Sequence, residues 1–169
     1  MKKQCMYLLI FCSMFIFQLG NCSSVNAKTV DSFSMGVSTI KEEATQQVIP
    51  KLAKLEQISP NQIQITYDRD VDVNSAKKAT NYWMQSTKDE KPSGIATLGK
   101  NDKVNSSNSL NSRMVTINPM SNSNKTFILT FKENIKPGME YKLIICYVIV
   151  PGAPPYNGDN GVAIFVGKQ

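Results

Sequence analysis

Apolar and polar residues alternate strictly over two stretches of this chain. From Gln62 to Tyr67, residues Ile63, Ile65 and Tyr67 share one face; from Lys125 to Phe131, Phe127, Leu129 and Phe131 do the same. Side chains of a strand point alternately to its two faces, so this period predicts strands with one buried and one wet side. Met114 to Ile117 is a shorter stretch of the same kind, and Val162 to Val166 supplies a last strand. Met139 to Val150 differs, because both of its faces are apolar. Tyr141, Leu143, Ile145, Tyr147 and Ile149 line one side; Ile144, Cys146, Val148 and Val150 follow Lys142 on the other. Such a pattern predicts a central strand covered on both sides.

Turn-forming clusters separate these stretches: Ser59-Pro60-Asn61, Lys136-Pro137-Gly138, and the segment from Pro151 to Gly161. Short strands at this spacing, with few helical patterns, predict an all-β antiparallel sandwich. One helical turn is expected between Asn74 and Thr80, capped by Asn74 or Ser75. Residues 86–124 are polar and rich in Ser and Asn. They predict long loops around one or two short strands, one of them near Ile95 to Leu98.

The first residues follow a different logic. Lys2 and Lys3 precede an apolar run from Tyr7 to Leu19, and Val25-Asn26-Ala27 places small or branched residues before Lys28. This is the layout of a cleaved secretory signal over residues 1–27. The apolar run is short for a bilayer span, which takes roughly 20 residues. A competing expectation is a lipoprotein box at Leu19-Gly20-Asn21-Cys22, against which Asn21 counts because such boxes want a small residue there. A lipid on Cys22 would anchor the chain to a membrane surface, and only then is a membrane partner expected. Residues 28–48 read as a polar spacer or short helix, with Thr39-x-x-Glu42 resembling a capping box and Pro50 ending the pattern. Residues 49–169 are left as one domain, within the usual range of about 100–200 residues.

Charge and cysteine content then narrow the chemistry. The formal charge is +6, and two of the positive charges leave with the signal. What remains is mild and scattered, without the Lys/Arg cluster that tracks nucleic acid, so no nucleic-acid partner is expected. Cys5, Cys12 and Cys22 lie in the leader or at its lipobox, which leaves Cys146 alone and expected to be a buried core thiol. The chain holds no histidine, which removes His-based triads and His metal sites.

In the domain, Ile63 to Asp72, then Ser75-Ala76, then Asn81-Tyr82, resembles the bacterial Ig-like domains of S-layer and other surface proteins. Thr126 to Phe131, followed by Lys136 to Tyr141, is similar to the later half of those modules. The resemblance covers roughly residues 49–167. It implies an Ig-like antiparallel β-sandwich at the cell surface and says almost nothing about a ligand. The chain departs from the pattern in its long polar insertion around Asn105 and its long last hairpin.

Three groups of residues approach known chemical motifs. Asp68, Asp70 and Asp72 have the opening spacing of a calcium loop, but Val73 and Ala79 stand where that loop needs glycine and glutamate. A weak calcium site with Asp159 or Asn160 is the remaining option; a solvated turn is the simpler expectation. Gly94 to Lys100 nearly spells a phosphate loop, yet Asn101 replaces its Ser/Thr and no helix pattern follows. Glu133, Glu140 and the aspartate group are the plausible carboxylate donors for a small secreted glycan hydrolase. Trp83 is expected in the core rather than as a sugar platform.

The sequence therefore predicts an exported, non-enzymatic module without a cofactor, acting by surface binding or adhesion. Its expected partners are a cell-wall or surface glycan or another surface protein. A lipid-anchored spacer and the carboxylate hydrolase are the alternatives. Recognition is expected on the last hairpin, at Pro154, Pro155, Tyr156, Asn157, Asp159 and Asn160, because loops at the end of a rigid sandwich display contact residues. The leader makes a direct prediction: intact-mass analysis of exported protein will find an N-terminus at Lys28, and an acylated species beginning at Cys22 would replace it.

Overall fold

The computed structural model describes residues 47–169; the signal, the lipobox and nearly all of the 28–48 spacer lie outside the described residues. Seven strands form two antiparallel sheets, with very little helix. In chain order they are β1 (Leu52–Ser59), β2 (Gln62–Tyr67), β3 (Tyr82–Ser86), β4 (Val115–Pro119), β5 (Thr126–Phe131), β6 (Glu140–Cys146) and β7 (Asp159–Val166). One sheet has the order β1-β2-β5-β4 and the other β3-β6-β7. The all-β sandwich expected from the alternation is the fold observed.

The alternating residues make the core. Ile63, Ile65 and Tyr67 from β2 meet Phe127, Leu129 and Phe131 from β5 on the inner face, with Val115 and Ile117 of β4 beside them. The second sheet contributes Tyr82, Met84, Tyr141, Leu143 and Ile145. Packing large apolar side chains between two sheets is the main stabilising term of such a fold. Across the middle, the hydroxyls of Tyr67 and Tyr82 are hydrogen-bonded at 2.9 Å, and Tyr82 also donates to the Ala76 carbonyl at 2.6 Å. Burial pushes the pKa of both hydroxyls up, so the pair stays protonated and polar groups in the core remain satisfied.

The expected helical turn is present but shifted. Helix α1 spans Val73–Lys77, and its cap is Asp72, whose carboxylate accepts from the Ser75 amide at 2.7 Å. Asp72 outcompetes Asn74 and Ser75 because it stands one residue before the first helical position, where a side-chain oxygen reaches the free N–H groups. The expected strand near Ile95 to Leu98 is reduced to a single bridge between Leu98 and Gln85. Its backbone nevertheless pairs with β3, Thr97 N donating to Met84 O and Ser86 N to Leu98 O, so it covers the free edge of that strand.

β6 is the central strand of its sheet, as expected, but it ends at Cys146 and its faces do not continue to Val150. Tyr147 adopts φ +67°, a left-handed conformation that non-glycine residues rarely take. That one residue reverses the alternation: Tyr147 is 40% exposed, while Val148 is fully buried in the core. The partner strand bulges at the same level. The register jumps from Ile145 opposite Gly161 to Cys146 opposite Asp159, leaving Asn160 as the extra residue. Asn160 turns inward at 0% exposure. Its side chain accepts from Val148 N at 2.8 Å and donates to Val148 O at 2.8 Å and Pro50 O at 2.9 Å. One side-chain amide thus replaces the missing rung of the ladder.

The outer face of the smaller sheet is covered unevenly. On the β3 side the long polar loop lies across it, pinned by Gln85, whose amide nitrogen donates to the carbonyls of Gly99 and Lys100, and by Trp83. On the β7 side Val162, Ile164 and Val166 stand exposed in a row, opposite Ile144, Lys142 and Glu140 of β6. Asn160→Ala removes the substitute rung and strands buried backbone groups. It should cost about 3 kcal/mol in urea unfolding, with binding assays run only where the variant is folded.

Candidate functional site

The conformation of Tyr147 aims its ring out of the sandwich at the end where the last hairpin begins. The ring packs edge-on against Trp83, centroids 6.0 Å apart at 75°. Trp83 itself is 1% exposed, and its indole N–H donates to Asn105 O at 2.8 Å and Asn108 Oδ1 at 3.1 Å. Trp83 is buried as expected, although it lies beneath the polar loop and outside the main core cluster. It backs the exposed tyrosine.

A shallow hollow lies on either side of Tyr147. One, of about 330 Å³, is bounded by Lys78, Thr80, Asn81, Trp83 and Ser106. The other, of about 290 Å³, is bounded by Ser75, Ile149, Pro155 and Tyr156, and shares Lys78, Asn81 and Tyr147 with the first. The Asn81 side chain donates to Ser75 O at 2.8 Å, which holds its amide oxygen in a fixed orientation. Asn81 is itself buried, at 4% exposure, and among the described residues no buried side-chain nitrogen or oxygen lacks a partner.

The hairpin residues divide between this site and the frame. Pro155 and Tyr156 line the second hollow. Pro154 and Asn157 are exposed nearby, Pro154 accepting from the Gln47 side chain at 2.9 Å. Tyr156 is half-buried: its hydroxyl donates to Asp159 O at 3.2 Å, and its ring lies against Gly158, where an added Cβ would collide with it. The Asp159 carboxylate accepts from Gly161 N at 2.8 Å. Asn160 does not belong to a contact surface, because all of its polar atoms are occupied inside the fold.

The carboxylates are likewise spread over local tasks. Asp68 is paired with Arg69 at 2.7 Å and accepts from Lys51 N, and the Arg69 guanidinium holds its pKa below the usual range. Asp72 caps α1, and Glu140 accepts from Thr87 Oγ at 2.7 Å. Among the described residues no three His, Cys, Asp or Glu side chains gather as a metal would need. The phosphate-loop-like segment has a packing explanation: a side chain at Gly99 would run into the Glu90 carbonyl.

Sequence reasoning placed Cys146 in the core; the structure corrects this. The thiol sits at the end of β6 on the outer face and is only half-buried, since nothing fully covers that face. Burial and the nearby Asp159 charge push its pKa up. Sequence reasoning also missed Tyr147 and Lys78. The Asn160-Gly161 pair was the available signal, because such dipeptides mark bulges and turns, and a bulge shifts the faces of its neighbour.

No family model matches the chain, and no curated protein matches it. Among solved structures it is similar to the N-terminal part of the bacterial S-layer protein SbsC, with 12% identity and a TM-score of 0.51 over 72% of this chain. The chain spans 24% of that structure. It also aligns with domains 1–6 of the surface layer protein SbsC, with 14% identity and a TM-score of 0.49 over 75% of this chain and 14% of the other. At 12% identity the first of these likenesses is one of fold alone. The thiol yields a prediction: an alkylating reagent will label Cys146 in the native protein, more slowly than in denaturant and faster as pH rises. Complete native protection would put the thiol back in the core.

Proposed function

We propose that this chain is an exported, non-enzymatic Ig-like module that binds at the cell surface through the hairpin end of its sandwich. The observation that carries the proposal is the exposed Tyr147 held beside Pro155 and Tyr156. A non-glycine residue in the left-handed region is strained, and such strain concentrates where a fold presents a functional group. The fold likeness to part of an S-layer protein agrees with a surface role. The dispersal of carboxylates onto caps, ion pairs and loop bonds favours binding over hydrolysis.

Rigidity is the physical advantage of the arrangement. Tyrosine offers a large amphipathic contact area at low entropic cost, and here Trp83 and Gly158 already restrain both rings. A spacer anchored through Cys22 is the second reading, favoured by Leu19 to Cys22 alone.

Tyr156→Ala distinguishes them. It removes one hydroxyl bond to an exposed carbonyl and little core packing, so the unfolding free energy should fall by less than about 1 kcal/mol. Binding of the purified protein to isolated bacterial envelopes should weaken at least severalfold. Unchanged envelope binding by a folded variant would remove the hairpin from the site, and marked destabilisation would make Tyr156 a packing residue.

A further inference from the structure

From the same site, and resting on that surface-binding reading, we infer the ligand class: an anionic glycan whose sugar rings straddle Tyr147 and whose acidic group pairs with Lys78. The two hollows flank a single exposed aromatic ring and share three residues, so they form one groove with a ridge in its middle. A groove of that form fits a linear chain of similar units better than one compact molecule. Each hollow is at or near the small end of ligand pockets, about 300 Å³ upward, which suits one saccharide unit apiece.

The lining has the polarity of a sugar. A pyranose carries C–H groups on its ring faces and hydroxyls around its rim. Tyr147 and Tyr156 offer aromatic surface to the faces. The exposed Thr80 and Ser106 offer hydroxyls to the rim. An extended peptide would instead look for a free strand edge along the groove. Here the strand that lines the groove, β3 through Trp83, is an edge strand, but its edge is already taken by the polar loop, with Leu110 N donating to Tyr82 O and Thr97 N to Met84 O.

Charge selects within the glycans. Among the residues bounding both hollows, Lys78 is the only charged one, and no carboxylate accompanies it. Lys78 is exposed, and among the described residues it makes no salt bridge. Asp72, the nearest acid along the chain, is turned onto the amide of Ser75. A lone ammonium beside stacking rings favours a sugar acid over its neutral counterpart, since a charge-assisted hydrogen bond is about twice as strong as a neutral one. Trp83, the single tryptophan of the chain, contacts Tyr147 from behind and reports occupancy through its fluorescence.

The test titrates the purified protein with tetrameric hexuronates (galacturonate, glucuronate and mannuronate) and with their methyl esters, which keep the rings and lose the charge. At least one free acid should bind about tenfold more tightly than its ester, an advantage that shrinks in salt. Lys78→Gln should abolish that advantage, and Tyr147→Asn should weaken acid and ester alike by about tenfold. Asparagine tolerates the left-handed conformation, so this variant should stay folded, its thermal midpoint lowered only by the loss of the ring contact with Trp83. Equal binding of acid and ester, binding unchanged in either variant, or no response to any hexuronate would overturn the assignment. Isolated envelopes separate this failure from that of the broader reading. Envelope binding that survives periodate but not protease would overturn the glycan and leave surface binding standing. Absence of both envelope and hexuronate binding would remove both.

Discussion

One buried amide holds the hairpin end of this molecule in place. Asn160 stands where β7 carries one residue more than β6, and its side chain supplies the donor and the acceptor that Val148 would otherwise find on a neighbouring strand. Val148 can therefore enter the core one position out of phase, and Tyr147 must point outward in a strained conformation. The same amide reaches Pro50 O, fixing the approach of the chain to β1. Two segments distant in sequence, at Pro50 and at Val148, thus share one side chain. An unpaired Val148 amide in the core would be costly, so the exposed tyrosine and the buried asparagine form a single device.

The polar insertion performs a second structural task that its composition conceals. A sheet with an apolar outer residue such as Trp83 needs a cover, and here the cover is a loop of Ser, Asn and Lys. It is held by side-chain bonds from the sheet to its carbonyls: Trp83 to Asn105, and Gln85 to Gly99 and Lys100. The Asn105–Asn108 capping box stiffens the loop where the indole meets it. Loop and sheet are thereby coupled, and the ring of Tyr147 leans on the result.

How much was legible in the sequence follows from where the period of two holds. β2 and β5 alternate without interruption, so their core faces and mutual pairing could be expected from Ile63, Ile65, Phe127 and Leu129 alone. β1 was not anticipated, because register shifts at Leu52/Lys54 and Gln57/Ser59 break its alternation and leave Leu52 and Leu55 out of step. β6 was legible as far as Cys146, after which Tyr147 reverses the faces. Of the candidate site, the hairpin and Tyr156 carry a local signal, proline and aromatic residues in a long terminal loop. Lys78 and Tyr147 do not, because they meet Tyr156 only through the fold. Asn160 was read as a contact residue because nothing local marks a polar side chain that faces inward.

The first and last strands also decide how the domain would respond to being pulled. Lys51 donates to Asp159 O at the start of both strands, and Gln57 exchanges two bonds with Lys168 at their end, so β1 and β7 run side by side in the same direction. The chain accordingly enters at one end of this pair and leaves at the other. Tension along the polypeptide would slide β1 lengthwise against β2, straining all the rungs of that ladder together rather than peeling them one by one. A domain strung in this way meets force along the line that joins the two ends of its first and last strands with a whole ladder loaded at once.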